Sequence, residues 1–327
     1  MRIAIDAMGG DHAPVETVKG AIEALNEIDA TMVLIGNEGA IKDELAKYTY
    51  DQSRVEIIAT TEVVENEDKP VIAIKRKKDS SMVVGFEKVR TGEIDALISA
   101  GNTGALLAGG LLRVGRIKGI DRPALTTVFP TFSGMFVMAD VGANAECKAR
   151  NLLEFGIMGS IYAKDVLGID NPKVGLINIG SEEGKGTPMI NEAYQLLKES
   201  SLNFIGNVEA RDIPERKADV LVCDGFTGNV VLKLTEGVAK SFMGEIKSIF
   251  MSSLLSKLAA VAIKGKLRGL KTKMDYTEFG GAPLLGVKAP IVKAHGSSNS
   301  KAFKNAIKYA EKYVSNNIIE KISKEIK

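Results

Sequence analysis

The chain has 327 residues, of which 45% are hydrophobic, a formal net charge of +2, and only 2 cysteines and 2 histidines. That length and apolar content allow a large packed core without disulfide staples, and the near-neutral charge supplies no overall field favouring nucleic acid. No apolar run approaches the roughly 18 to 20 residues that span a bilayer, and Cys147 and Cys223, in no zinc or Cys-x-x-Cys spacing and without a signal-peptide pattern, point to a reducing cytosol and argue against a structural metal.

Along the chain, β-type runs at 2–6, 31–36, 96–99, 173–180 and 219–225 alternate with segments of helical period. Such alternation predicts parallel βα units. After the first run, Gly9 and Gly10 turn the chain, Asp11 or His12 offers a cap, and Pro14 suits a first helical turn. Val15, Val18, Ile22 and Leu25 then form an apolar stripe. The runs PALTTVFPT and GMFVMADVG, joined near Ser133-Gly134, read as an antiparallel pair, so the sheet is expected to be mixed. With no Pro-, Gly- or Ser-rich linker and no internal repeat, the expectation is one domain, 1–327, of two lobes sharing a continuous sheet.

Seven apolar runs end in clusters of glycine with small polar or charged residues: IDAMGGDHAP, SAGNTGALL, DVGANAEC, NIGSEEGKG, CDGFTGNVVLK, YTEFGGAPLLG and KAHGSS. Strand ends of this kind present backbone N–H groups to a small anion, although the same glycines also make tight turns. The cluster Ser99 to Gly104 opens an apolar helix and suits a phosphate. Gly180 to Gly186 is one residue short of a P-loop and lacks its Ser or Thr, and G-x-G-x-x-G is absent after the first strand. Ordinary Rossmann NAD binding and P-loop ATP hydrolysis are thereby set aside. Lys185, between two glycines at a strand-to-helix turn, is placed to face a phosphate or oxyanion, or else is a solvated lysine. Asp224 and Thr227 are equally well explained as helix caps; Asn229 is explained less well that way. His12 and His295 both stand beside glycine in loops. Asp6, Asp11 and Asp140 either orient cationic groups or cap turns.

Together and in this order, spanning nearly the whole chain, these motifs resemble the bacterial phosphate acyltransferase (PlsX) family of phosphatidic-acid synthesis. The resemblance implies that acyl-[acyl-carrier-protein] and inorganic phosphate give acyl phosphate and free carrier protein. It also implies a homodimer with a three-layer α/β/α fold and a mostly parallel mixed sheet, similar to the isopropylmalate dehydrogenase and phosphotransacetylase group, and no cofactor or metal. A membrane-bound acyl-phosphate:glycerol-3-phosphate acyltransferase is the implied next partner. In such a phosphorolysis phosphate is itself the nucleophile, so the protein must position it and stabilise an oxyanion. Lys185 and Asn229 are the expected catalytic residues. Ser99, Asn102, Thr103, Gly104, Asp224, Thr227, His295 and Ser297 are the expected phosphate or substrate contacts.

Residues 249–271 read as one basic amphipathic helical segment interrupted at Gly265, with Lys257, Lys264, Arg268 and Lys271 on one arc and Met251, Leu254, Leu255, Leu258, Ile263, Leu267 and Leu270 on the other side. It suits an anionic membrane surface, acidic carrier protein or a dimer partner. The expected location is the cytoplasm, peripherally on the inner face of the membrane. The loop 276–285 either covers an acyl chain or forms a rigid turn.

Overall fold

In the first strand, β1 (Arg2–Asp6), Ile3 and Ile5 point to one face of the sheet and Ala4 to the other, and all three are fully buried. A strand buried on both faces needs helices on both sides. The structure, a computed structural model, describes residues 1–131, 133–273 and 281–326, with the backbone alone at 262, 264 and 266–273. The remaining strands are β2 (Thr31–Gly36), β3 (Val55–Ala59), β4 (Ala96–Ser99), β5 (Ala124–Thr131), β6 (Gly134–Ala139), β7 (Lys173–Asn178), β8 (Asn203–Glu209), β9 (Val220–Val222), β10 (Ala282–Leu285) and β11 (Ile291–Lys293).

Among the described residues these strands form one 11-stranded sheet in the order β3-β2-β1-β4-β11-β10-β5-β6-β9-β7-β8. Most pairings are parallel. β10 is antiparallel to β11 and to β5, and β5 pairs antiparallel with β6 from Thr126↔Ala139 to Thr131↔Gly134, the hairpin expected around Ser133-Gly134. Three antiparallel steps reverse the direction of β6 to β9 relative to β1 to β4. The two lobes are therefore halves of one sheet joined at β10 and β5.

Helices α1 (Val15–Leu25), α2 (Glu38–Leu45), α3 (Pro70–Arg76), α4 (Ser81–Arg90), α5 (Thr103–Gly109), α6 (Ala149–Asp165), α7 (Pro188–Glu199), α8 (Gly225–Met251), α9 (Leu254–Lys273), α10 (Ser300–Ser315) and α11 (Ile318–Glu325) complete the layers. One face of the sheet is covered by α1, α10, α6 and α11, the other by α4 and α5 over the first half and by the start of α8 over the second. In α1, Val18, Ile22 and Leu25 are buried as the stripe requires, whereas Val15 is 44% exposed, and Pro14 rather than Asp11 or His12 holds the N-cap position. The predicted run 219–225 is a strand only to Val222, because Asp224 already caps α8.

The segment 249–271 is not one helix. α8 ends at Met251, Ser252 turns back onto Ile249, and the Ser253 hydroxyl accepts from the Ser256 N–H at 3.1 Å to start α9. Serine competes for backbone hydrogen bonds and so stops and starts helices at once. Gly265, expected to interrupt, lies inside α9; a single glycine costs a helix only about 1 kcal/mol. The side chains of Lys264, Leu267, Arg268, Leu270 and Lys271, and positions 276–280 of the expected covering loop, lie outside the described residues.

Candidate active site

Two buried carboxylates organise the strand ends. Asp6 accepts hydrogen bonds from the hydroxyls of Ser81 and Ser99, both at 2.6 Å, and from the Met8 N–H at 3.3 Å. Burial pushes its carboxyl up, against the pull of these donors. The neighbouring turn depends on Gly9, where a Cβ would stand 2.6 Å from Asp6 Oδ2 and 2.8 Å from the Gly101 N–H nitrogen. In the other half, Asp140 accepts from the N–H groups of Leu125, Gly142, Ala143 and Asn144 at 2.7–3.2 Å and from Asn144 Nδ2 at 2.9 Å. Burial raises its carboxyl too. Both acids shape loops, the turn-organising alternative of the two the sequence left open.

Between the halves, on the face that carries α5 and α8, lies a cavity of about 250 Å³. Its apolar wall comes from Leu125, Val128, Phe129, Val141 and Leu232. Its polar groups are Thr103, Thr127, Asn229, Lys233, Thr235, Glu236, Lys293, His295 and Ser298. An adjoining cavity of about 160 Å³, apolar and lined by Phe136, Ile213, Val231 and Leu234, shares Phe129, Pro130 and Thr235 with the first.

The expected site residues divide sharply. Asn229 lines the cavity, packed over Gly142 with one Nδ2 proton donated to the Val141 carbonyl at 3.3 Å. Thr103 and His295 line it as well. His295 Nδ1 accepts from the Ser297 N–H at 3.2 Å and lies 2.9 Å from the Ser297 hydroxyl, so the neutral ring carries its proton on Nε2. Burial, followed by the field of Lys233, lowers its pKa and favours that neutral form. Ser297 braces the histidine, and its neighbours Gly296 and Ser298 reach the cavity.

Other candidates are engaged in building the loops. Ser99 is fully buried and committed to Asp6, while it accepts from the Gly101 N–H at 3.1 Å. Asn102 caps α5 through Oδ1, and its Nδ2 donates to the carbonyls of Glu65, Asn66 and Asp68. Gly104 admits Pro70, whose Cγ would stand 2.6 Å from a Cβ there. Asp224 caps α8, accepting from the Thr227 N–H at 2.7 Å and hydroxyl at 3.1 Å. Lys185 is exposed on the turn after β7 and is not a lining residue of either cavity. Its loop nonetheless leaves the same sheet edge as the start of α8, since β7 and β9 are parallel neighbours.

Lys293, Lys233, Glu236 and Thr127 were missed in the sequence. Lys293 carried a usable signal: with period two it continues the inward row of Ala289 and Ile291, both buried. On α8, Lys233 pairs with Glu236 at 2.8 Å one turn later.

The molecule is a three-layer α/β/α fold with a cleft between the halves of its sheet, an arrangement it shares with solved phosphotransacylases. It is similar to a phosphotransacetylase from Streptococcus pyogenes, with a TM-score of 0.64 and 18% identity covering 98% of this chain and 94% of that one. A branched-chain phosphotransacylase from Enterococcus faecalis V583 aligns with a TM-score of 0.59 and 14% identity over 96% of this chain and 99% of that one. These likenesses establish the fold. Residues 1–321 match the family model described as fatty acid synthesis protein. A phosphate acyltransferase from Alkaliphilus oremlandii (strain OhILAs) is 60% identical across 100% of this chain and 97% of its own length, and one from Clostridioides difficile (strain 630) is 52% identical across 100% and 96%. The chain belongs to the phosphate acyltransferase family, the transferase family its seven glycine clusters resemble.

Proposed function

We propose that this chain transfers the acyl group of an acyl-[acyl-carrier-protein] thioester to inorganic phosphate, giving acyl phosphate and free carrier protein for phospholipid synthesis. The observation that carries the reading is the cavity itself, where amide, hydroxyl, imidazole and ammonium groups face an apolar wall. Alone, 250 Å³ is small for a ligand site, but the shared lining with the adjoining 160 Å³ cavity brings the pair into the ordinary range above about 300 Å³. A long acyl chain on the apolar side and phosphate on the polar side account for both halves.

In this mechanism an oxygen of hydrogen phosphate attacks the thioester carbon. The C–O bond forms, a tetrahedral oxyanion develops, the C–S bond breaks, and the proton of hydrogen phosphate ends on the departing thiolate. Asn229 has a second Nδ2 proton beyond the one given to Val141 and donates it to the oxyanion or to phosphate. Lys185, from the neighbouring loop, counters the developing charge. Thr103 and His295, the latter through a neutral imidazole, are the phosphate contacts that line the cavity; Ser99, Asn102, Gly104, Asp224, Thr227 and Ser297 keep the loops in shape around it. The reading is tested by offering palmitoyl carrier protein and acetyl-coenzyme A in parallel. Turnover of the carrier-protein thioester supports it, and turnover of acetyl-coenzyme A alone moves the assignment to short-chain phosphate acetyltransfer.

The homodimer and the membrane surface belong to the same proposal. On α8, Phe226, Val230, Leu234, Val238 and Phe242 recur every four residues, each at least 50% exposed. Such a row on a helix about 40 Å long fits a second copy of the chain. Val238→Glu with Phe242→Glu is expected to give a monomer in analytical ultracentrifugation; a dimer that persists at micromolar concentration would count against this face. Leu254, Leu255, Leu258 and Val261 at the start of α9 are 69–81% exposed and fit the acyl region of an anionic membrane. Leu254→Glu with Leu258→Glu is expected to abolish flotation with phosphatidylglycerol vesicles, and unchanged flotation would sink this contact. Among the described residues no helix is long and apolar enough to cross a membrane. The glycerol-3-phosphate acyltransferase implied by kinship is the proposed consumer of the product at that surface.

A further inference from the structure

Lys293 ends β11 and is only 8% exposed. An ammonium so placed is costly unless a counter-charge or a full set of acceptors meets it. Two of its three N–H donors are taken by backbone carbonyls, that of Ala100 at 3.1 Å and that of Ala294. Among the described residues no carboxylate forms an ion pair with it. Asp6 and Asp11 act on it only through space, and Asp6 is occupied by Ser81 and Ser99. Among the described residues one donor has no acceptor and the charge has no direct carboxylate partner, on the wall of the cavity that also holds Thr103, His295 and Ser298.

We propose that Lys293 is a further phosphate-binding residue of the acyl-transfer site, beside Thr103 and His295, its third N–H and its charge holding inorganic phosphate against the thioester carbon. The assignment rests on the acyl-transfer reading and adds a residue and a subsite to it. A dianion at this position supplies the missing counter-charge and the missing acceptor together, which a solvent molecule does only by half. Burial pulls the ammonium down to about 8, against Asp6 and Asp11, with Lys233 of α8 adding to the lowering. Bound phosphate opposes that pull and keeps the group charged. As the last residue of β11, Lys293 is held on the wall of the cavity by a strand and not by a loop.

The test is a comparison of Lys293→Met and Lys293→Arg with the unaltered enzyme. Loss of one charge-assisted contact predicts a KM for phosphate about 10- to 100-fold higher in Lys293→Met, a KM for the acyl donor within about twofold of normal, and partial recovery in Lys293→Arg. A purely structural lysine would shift both constants together. A second measurement needs no variant: cyanate carbamylates the neutral fraction of lysine amines, and peptide mass spectrometry follows each site. Millimolar inorganic phosphate is expected to slow carbamylation of Lys293 at least about tenfold while leaving exposed Lys198 unchanged. An unaltered KM for phosphate in folded Lys293→Met enzyme, or equal carbamylation of Lys293 with and without phosphate, overturns the assignment. If the unaltered enzyme releases no thiol in response to phosphate, the acyl-transfer reading fails instead, and protection of Lys293 by phosphate still establishes the anion seat.

Discussion

Asn229→Ala is expected to lower kcat about 100- to 1,000-fold while the protein stays folded. Removing one donor from an oxyanion site typically costs that much, because the lost hydrogen bond is strongest in the transition state. The structural cost of the change is small. Asn229 is exposed, its side-chain hydrogen bond among the described residues is the 3.3 Å contact to the Val141 carbonyl, and it stands in the first turns of α8, where alanine is a better helix former. Single-turnover assays should show the loss in the chemical step, with the urea midpoint unchanged. Asn229→Asp keeps the shape but exchanges the donor for a negative charge, so it should be at least as damaging. If Lys185 serves the same oxyanion from the neighbouring loop, Lys185→Ala and Asn229→Ala will be non-additive in a double-mutant cycle. Near-normal turnover of Asn229→Ala would remove this residue from the chemistry.

Gly228→Ala is expected to be the most damaging single methyl group in the lobe. A Cβ at this position would overlap the Asp140 carbonyl oxygen and stand 3.0 Å from Cys223 Sγ. Neither can move freely: Asp140 anchors four backbone N–H groups and one side-chain amide, and the Cys223 N–H and carbonyl both pair with the β6 strand end. Overpacking against backbone in such a place costs about 3 kcal/mol or more. α8 would have to withdraw from the 140–144 loop, carrying Asn229 with it, so activity falls with stability. Gly244→Ala is the control, since that glycine of the same helix faces open space and alanine there should gain up to about 1 kcal/mol. Urea midpoints for the two variants should move in opposite directions. Equal stability of Gly228→Ala and the unaltered enzyme would mean that α8 does not seat on Asp140 as described.

How far the sequence discloses this site depends on what each residue type can do. Strand-end serine, asparagine and aspartate serve equally as ligands and as loop organisers. Ser99, Asn102, Asp224 and Thr227 look like phosphate contacts for that reason, yet their hydrogen bonds go to Asp6, to the starts of α5 and α8, and to one another. Asn229 stood out because no cap position explained it, and it lines the cavity. The period-two row of Ala289, Ile291 and Lys293 is a weak mark, because β11 has only 3 residues and is buried on both faces, so apolar residues also stand between its members. The fold was more legible. β1 followed by α1, and the β5–β6 hairpin, have strong periods and turn residues. β3 and β8, at the two sheet edges and mostly half-exposed, lack the apolar runs that mark a buried strand. The break at Ser252-Ser253 is invisible on a helical wheel, since apolar residues keep their spacing through it and only the serine hydrogen bonds end one helix and begin the next.

That phosphate itself is the acyl acceptor is tested by release of carrier-protein thiol from palmitoyl carrier protein with and without inorganic phosphate, with hydroxylamine added to trap acyl phosphate. Thiol release that requires phosphate and matches the hydroxamate mole for mole is the predicted result. Release at the same rate without phosphate, or release that leaves free fatty acid and no hydroxamate, would show hydrolysis and contradict the account.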